Sequence, residues 1–208
     1  MSLSLKTELE ERFAAGTAEA IAAIVAHPWL IIPDLNVNWL LNGFQGVYTN
    51  VGFGEGARAE LAMYFLLNGR LWLQWVKLAS PKAKILKQGS YSEEFESTIS
   101  AVRQWEEEAY QKNTIYHERL NDRRVEYAFR IVIGQSRAYT EDEQLNLSFE
   151  RRNHIRIRSY DWLLEKADRF TDEEIKELDE CGAGSEEEFI AACPKLLRML
   201  DEPMPPRV

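Results

Sequence analysis

Cysteine is nearly missing from this chain: Cys181 and Cys193 are the only two in 208 residues. Two thiols cannot build a disulfide framework or a cysteine-based zinc site, and both read as small apolar fillers on helices. Histidine is almost as scarce. His27, His117 and His154 have no metal-ligand spacing, and none adjoins a serine or cysteine nucleophile in a recognisable motif. No uncharged apolar run approaches the roughly 20 residues that span a bilayer. The N-terminus lacks the basic flank and apolar stretch of a signal peptide, so a cytoplasmic protein without a membrane partner is expected. With 45% hydrophobic residues, 28% charged and only 7 prolines, collagenous, low-complexity and wholly disordered classes are excluded.

Basic charge is also in deficit, at a net −9, but unevenly so. Residues 165–208 carry 13 acidic and 6 basic side chains, which leaves −2 for residues 1–164. The body is nearly neutral and the tail holds the acidity. Within the body, Lys77, Lys82, Lys84 and Lys87 form one basic segment, and Arg151, Arg152, Arg156 and Arg158 form another. Such segments suit a phosphate-binding face, and equally a solvated surface.

What is present is a succession of short patterned elements. Leu9, Phe13, Ala20, Ile21, Ile24 and Val25 repeat at helical spacing over residues 5–26, with Gly16-Thr17 interrupting and His27-Pro28 as the stop. Val47–Phe53, Ala59–Leu67 and Leu71–Leu78 are strand-like, and Asn68-Gly69 between the last two is a strong hairpin-turn dipeptide. Ser92 caps a helix expected to run to about Leu120, its apolar face made by Phe95, Ile99, Val102, Trp105 and Ala109. Tyr127–Ile133 reads as a buried strand, Thr140 to Arg152 as a short helix, and His154–Ser159 as a half-buried strand. Helices follow from Asp161, after Thr171 and after Ser185, with a frayed end from Asp201. Strands alternating with helices predict an α/β fold with a mixed sheet. The expected division is an α/β domain over residues 1–170 and an acidic helical C-terminal extension over 171–208.

Gly52-Phe53-Gly54-Glu55-Gly56-Ala57 fits the dinucleotide pattern G-x-G-x-x-A. That chemistry needs a helix from Ala57 and an acid at the end of the next strand. Residues 70–80 contain no acid, so a loop between strands is the expected outcome. The hairpin is more informative. Glu60 near the start of one strand and Lys77 near the end of its partner come together across it. Phosphodiester hydrolysis uses such a set: carboxylate to hold Mg²⁺, and lysine to stabilise charge or orient water. The same two residues also make an ordinary salt bridge.

Several segments, taken in order, resemble the Shedu family of antiphage nucleases within the restriction-endonuclease-like PD-(D/E)xK superfamily. They are His27-Pro28-Trp29-Leu30, Arg58-Ala59-Glu60-Leu61, Trp75-Val76-Lys77 followed by Pro81, and Ala101-Val102-Arg103-Gln104-Trp105. Arg130-Ile131-Val132-Ile133-Gly134 and Ile157-Arg158-Ser159-Tyr160-Asp161-Trp162-Leu163 are the closest. The likeness spans residues 20–168 or so and leaves the acidic tail outside. It implies a restriction-endonuclease-like mixed sheet flanked by helices, with the Gln104 helix beside the hairpin. It also implies Mg²⁺-dependent DNA cleavage through Glu60, Lys77 and Gln104, with Glu60 as metal ligand.

The departures fall on the chemistry. Glu60 stands where the family has aspartate. Trp75 stands at the second acid, and Trp75 cannot ligate a metal. Gln74 is adjacent and is a candidate assistant, although strand alternation directs it away from Lys77 unless a bulge re-aims it. An acid on the following helix, Glu94 or Glu96, would restore a second ligand. Two functions are therefore expected in competition: a Shedu-like defence nuclease, or a catalytically inactive nuclease fold that binds nucleic acid or protein. Lys82, Lys84, Arg151 and Arg152 are the candidate nucleic-acid contacts. DNA and further copies of the chain are the candidate partners.

Overall fold

Gly16 ends one helix and begins the next. The computed structural model describes residues 4–33, 35–53, 57–87, 89–110, 124–136, 140–141 and 155–201. Helix α1 (Leu5–Ala15) is capped by the Ser4 hydroxyl, which accepts the Thr7 N–H. Gly16 then takes φ 145°, a conformation that β-carbon-bearing residues avoid, and α2 (Thr17–Ala26) leaves in a new direction. A 3-10 turn, Pro28–Ile31, follows, then a short helix α3 (Val37–Leu41).

Strands β1 (Gln45–Phe53), β2 (Ala57–Leu67) and β3 (Arg70–Leu78) form an antiparallel meander. The β2–β3 turn is Asn68-Gly69, with φ of 52° and 70°. Two left-handed central residues are what the favoured two-residue hairpin turn demands, so the dipeptide sets the register of the hairpin. Ala57 opens a strand, so the helix that a dinucleotide-binding turn would require from that position is replaced by β2. A two-stranded ribbon, β4 (Leu86–Lys87) and β5 (Ser90–Tyr91), which the residue pattern did not announce, precedes α4 (Glu93–Tyr110). The Ser92 hydroxyl caps α4 by accepting the Phe95 N–H at 3.2 Å. The expected continuation of this helix to Leu120 and the short helix expected to reach Arg152 lie outside the described residues.

Strand β6 (Val125–Val132) lies parallel to β3, and β7 (Ile155–Arg158) parallel to β6. The five-stranded mixed sheet has the order β1-β2-β3-β6-β7. Helices α5 (Tyr160–Ala167), α6 (Asp172–Glu180) and α7 (Glu186–Met199) complete the fold, the last two opened by capping boxes from Thr171/Glu174 and Ser185/Glu188. The protein is thus α/β, with helices on both faces of a mixed sheet.

Period-two alternation divides the core. Leu71, Leu73 and Trp75 of β3 face Phe95, Ile99, Val102 and Trp105 of α4 and Phe189 and Cys193 of α7. Val76 and Leu78 face Leu9, Phe13, Ile24, Trp29 and Tyr160 on the other side. The acidic C-terminal stretch is docked on this sheet. Gly184 donates to the Val47 carbonyl at 2.9 Å and accepts from the Thr49 N–H at 3.0 Å, which covers the free edge of β1. Glycine suits this close approach, because a Cβ at 184 would stand 2.5 Å from the Tyr48 ring and force ring or backbone to shift. Among the described residues no helix is long and apolar enough to cross a membrane.

Candidate active site

The hairpin does not stay zipped to its open end. The β2–β3 ladder runs from Leu67↔Arg70 to Leu61↔Val76. Beyond that, β3 still presents backbone N–H groups to the β2 side at alternate residues, and these must find acceptors. The N–H of Leu78 goes to Glu60 Oε2 at 3.2 Å. The N–H of Ser80 goes to Glu94 Oε1, in the first turn of α4, at 3.1 Å. Between them, Ala79 turns its N–H the other way, to the Val132 carbonyl on β6 at 2.9 Å. Two carboxylates thus sit on same-side donors two residues apart, a spacing of about 7 Å along an extended chain.

Lys77 enters this opening. Its Nζ donates to Glu60 Oε1 at 2.5 Å, with both side chains about a quarter exposed (28% for Lys77, 22% for Glu60). Tyr160, the first residue of α5, closes the floor and donates its hydroxyl to the Ala79 carbonyl at 2.7 Å. Burial, and then the negative charges of Glu60 and Glu94, hold the Tyr160 phenol above its ordinary value. The group lies at the carboxyl ends of the parallel strands, where open α/β sheets place their ligand clefts.

Other expected participants are elsewhere. Gln74 is on the opposite face from Lys77, 2% exposed, and its Oε1 finds no partner among the described residues. No bulge re-aims it. Gln104 is exposed and donates to Glu108 Oε1 at 3.1 Å. Although α4 packs against the sheet beside the hairpin, ten residues of helix carry Gln104 about 15 Å from Glu94, so it does not join the group. Trp75 shares the face of Lys77 but is fully buried, with ring centroids 5.9 Å from Tyr127 and 6.2 Å from Phe129. Where the resemblance implies a second strand acid, this strand carries a core residue. Lys82 and Lys84 are exposed in the segment after β3, near the opening. Arg151 and Arg152 lie outside the described residues.

Residue patterns missed Ser80 and Tyr160 as members of the group. A signal for Glu94 existed, an acid in the first turn of the helix after the lysine strand, yet the choice against Glu96 needed the Ser80 contact. His27, which has no metal-ligand spacing, has a structural task. Its Nδ1 and the Trp29 indole N–H each lie 2.8 Å from Asp179 Oδ1, which pins α6 to the 3-10 turn. The buried Arg130 donates to the Ile31 carbonyl at 2.7 Å and lies 5.0 Å from the Trp162 ring centroid. Lys166 donates to the Leu30 carbonyl at 3.2 Å. The segments around Arg130 and Trp162 thus brace the same turn.

Among the described residues no group of three or more His, Cys, Asp or Glu side chains is placed so as to hold a metal ion. Two carboxylates nonetheless fit Mg²⁺, a hard cation that protein usually holds through one or two carboxylates while waters and substrate phosphate fill the remaining positions. No protein-family model and no curated protein matches the chain.

Proposed function

We propose that this chain is a Shedu-like defence protein of PD-(D/E)xK descent that hydrolyses DNA phosphodiester bonds with Mg²⁺. The observation that carries the reading is the pairing of Glu60 and Glu94 on the Leu78 and Ser80 N–H groups, with Lys77 at 2.5 Å from Glu60. Glu60 and Glu94 are the residues to hold the metal, which supplies Lewis-acid polarisation of the phosphate and an activated water. Lys77, released from Glu60, offers its ammonium to the phosphate or orients the attacking water. Tyr160 keeps the Ala79 carbonyl hydrogen-bonded, which holds the end of β3 in place. Lys82 and Lys84 supply phosphate contacts to the DNA backbone, which are sequence-independent and weaken with salt.

A second reading, a catalytically inactive nuclease fold that binds nucleic acid or protein, is favoured by two observations. Both oxygens of Glu60 already have protein donors, Lys77 and Leu78, and Trp75 fills the place of the missing acid.

Calorimetry with Mg²⁺ or Mn²⁺ decides between them. Binding to the wild type that vanishes in Glu60→Ala and in Glu94→Ala supports the metal site, and DNA cleavage lost in Lys77→Ala supports the nuclease. Absence of binding at millimolar metal overturns the first reading in favour of the second.

A further inference from the structure

The opposite end of β3 borders a cavity of about 410 Å³, with Asn68, Arg70, Trp72, Glu126, Tyr127 and Phe129 in its lining. That volume lies within the roughly 300–1,000 Å³ of small-molecule clefts. Trp72 precedes Lys77 by five strand residues, about 16 Å, so this cavity is distinct from the Glu60–Lys77 group. The two share no residue, and the chemistry of the cavity is independent of the nuclease reading.

Aromatic surface and one ion pair define that chemistry. Trp72 stacks on Phe65 with ring centroids 6.1 Å apart and planes within 2°, a rigid platform for another flat ring. Across the parallel register Trp72 stands beside Glu126 on β6, and Arg70, two residues earlier, shares that face. Arg70 and Glu126 form an ion pair in which the arginine side chain is 52% exposed and the glutamate 33%. A pair this open to water is weakly held, so either partner can be exchanged for a ligand group.

We propose that this cavity binds a guanine base. Stacking on the ring wall suits any base, so selection falls to Glu126. An ionised carboxylate has two acceptor oxygens and no donor. The Watson–Crick edge of guanine sets two adjacent donors, the ring N1–H and the exocyclic amino group, against such an acceptor pair. Adenine and cytosine each set a ring nitrogen lone pair beside their amino group, which a carboxylate repels. Thymine and uracil offer a single N–H between two carbonyls. Once Glu126 turns to the base, Arg70 is available for a phosphate or for guanine O6 and N7, its common partners. The same recognition serves a free guanine nucleotide and a guanine in a single strand.

Calorimetry on the full chain in EDTA tests this apart from any metal site. GMP is expected to bind at least ~10-fold more tightly than AMP, the discrimination of one good bidentate contact. A pentamer with one central guanine, compared with its adenine counterpart, identifies the source: binding tighter than GMP assigns a strand, and binding of GMP alone assigns the free nucleotide. Glu126→Gln converts two acceptors into one acceptor and one donor, the complement of adenine, so the GMP preference should fall ~10-fold or invert. That inversion distinguishes base reading from a structural ion pair, and Glu126 is exposed enough for the variant to fold. Equal affinity for GMP and AMP, no binding of either at millimolar concentration, or a preference unchanged in Glu126→Gln would each overturn the proposal.

Discussion

The carboxylate of Glu60 takes the backbone N–H of Leu78 at 3.2 Å, a donor that β2 would satisfy in an unbroken hairpin. A side chain here substitutes for a strand, and the hairpin opens where Lys77 and Glu94 arrive.

That substitution predicts the behaviour of Glu94. Glu94→Gln keeps an oxygen for the Ser80 N–H and sits on an exposed turn, so stability should change by less than about 0.5 kcal/mol. Metal-dependent cleavage should fall at least ~100-fold, the usual cost of losing a transition-state charge partner. Cleavage at the wild-type rate in this variant would remove Glu94 from the site.

Trp75 should resist conversion into the acid whose place it fills. Trp75→Ala is expected to cost about 3–5 kcal/mol through the cavity it leaves among Phe129 and Phe189. Trp75→Glu, which buries a charge in the same space, should destabilise at least as much and restore no cleavage. Urea denaturation measures the first part, and a folded, more active Trp75→Glu protein would contradict the second.

Alkaline lability follows from four groups held neutral inside the fold. Burial raises Tyr48, Tyr64 and Tyr160 above their ordinary 10.0, and pushes the Cys193 thiol from 9.0 up to about 12. A raised folded value means the unfolded chain releases its protons first. The stabilisation is full below about pH 9, begins to fall as the unfolded thiol and phenols ionise between pH 9 and 10, and declines until the folded groups ionise too. The urea midpoint should hold steady from pH 7 to 9 and drop beyond it, with Cys193→Ala shifting the onset upward. A midpoint that falls between pH 7 and 8 would refute this account.

Gly184→Ala tests the edge contact. A Cβ 2.5 Å from the ring of the buried Tyr48 forces ring or backbone to move, at about 1–3 kcal/mol. Thermal unfolding reads the loss, and Tyr48→Phe should not rescue it, because the clash is with ring carbons.

Local order was legible wherever a residue type carries its own conformational demand. Gly16 divides the first two helices, Asn68-Gly69 makes the hairpin turn, Ser92, Thr171 and Ser185 start helices, and the β3 alternation assigns Lys77 and Gln74 to opposite faces. Each depends on neighbours within a few positions, so the amino-acid order alone suffices. The meeting of Glu60 with Lys77 belongs with these, because a two-residue turn fixes the register for seventeen residues of separation.

Tertiary structure decided the rest, for reasons that local pattern cannot contain. Which acid of α4 reaches the site depends on where the N-terminus of that helix docks relative to Ser80. Gln104 lies on a helix that does pack beside the hairpin, yet its distance along the axis removes it from the group. The acidic tail reads by composition as a helical C-terminal extension, and only the fold shows that Phe189, Cys193 and Leu196 of α7 enter the core and that Gly184 covers β1. Amino-acid order set the turns, the caps and the faces of each element, whose energies are local. The assembly of the site was set by long-range packing, because its members come from four separate elements and only the folded sheet brings them together.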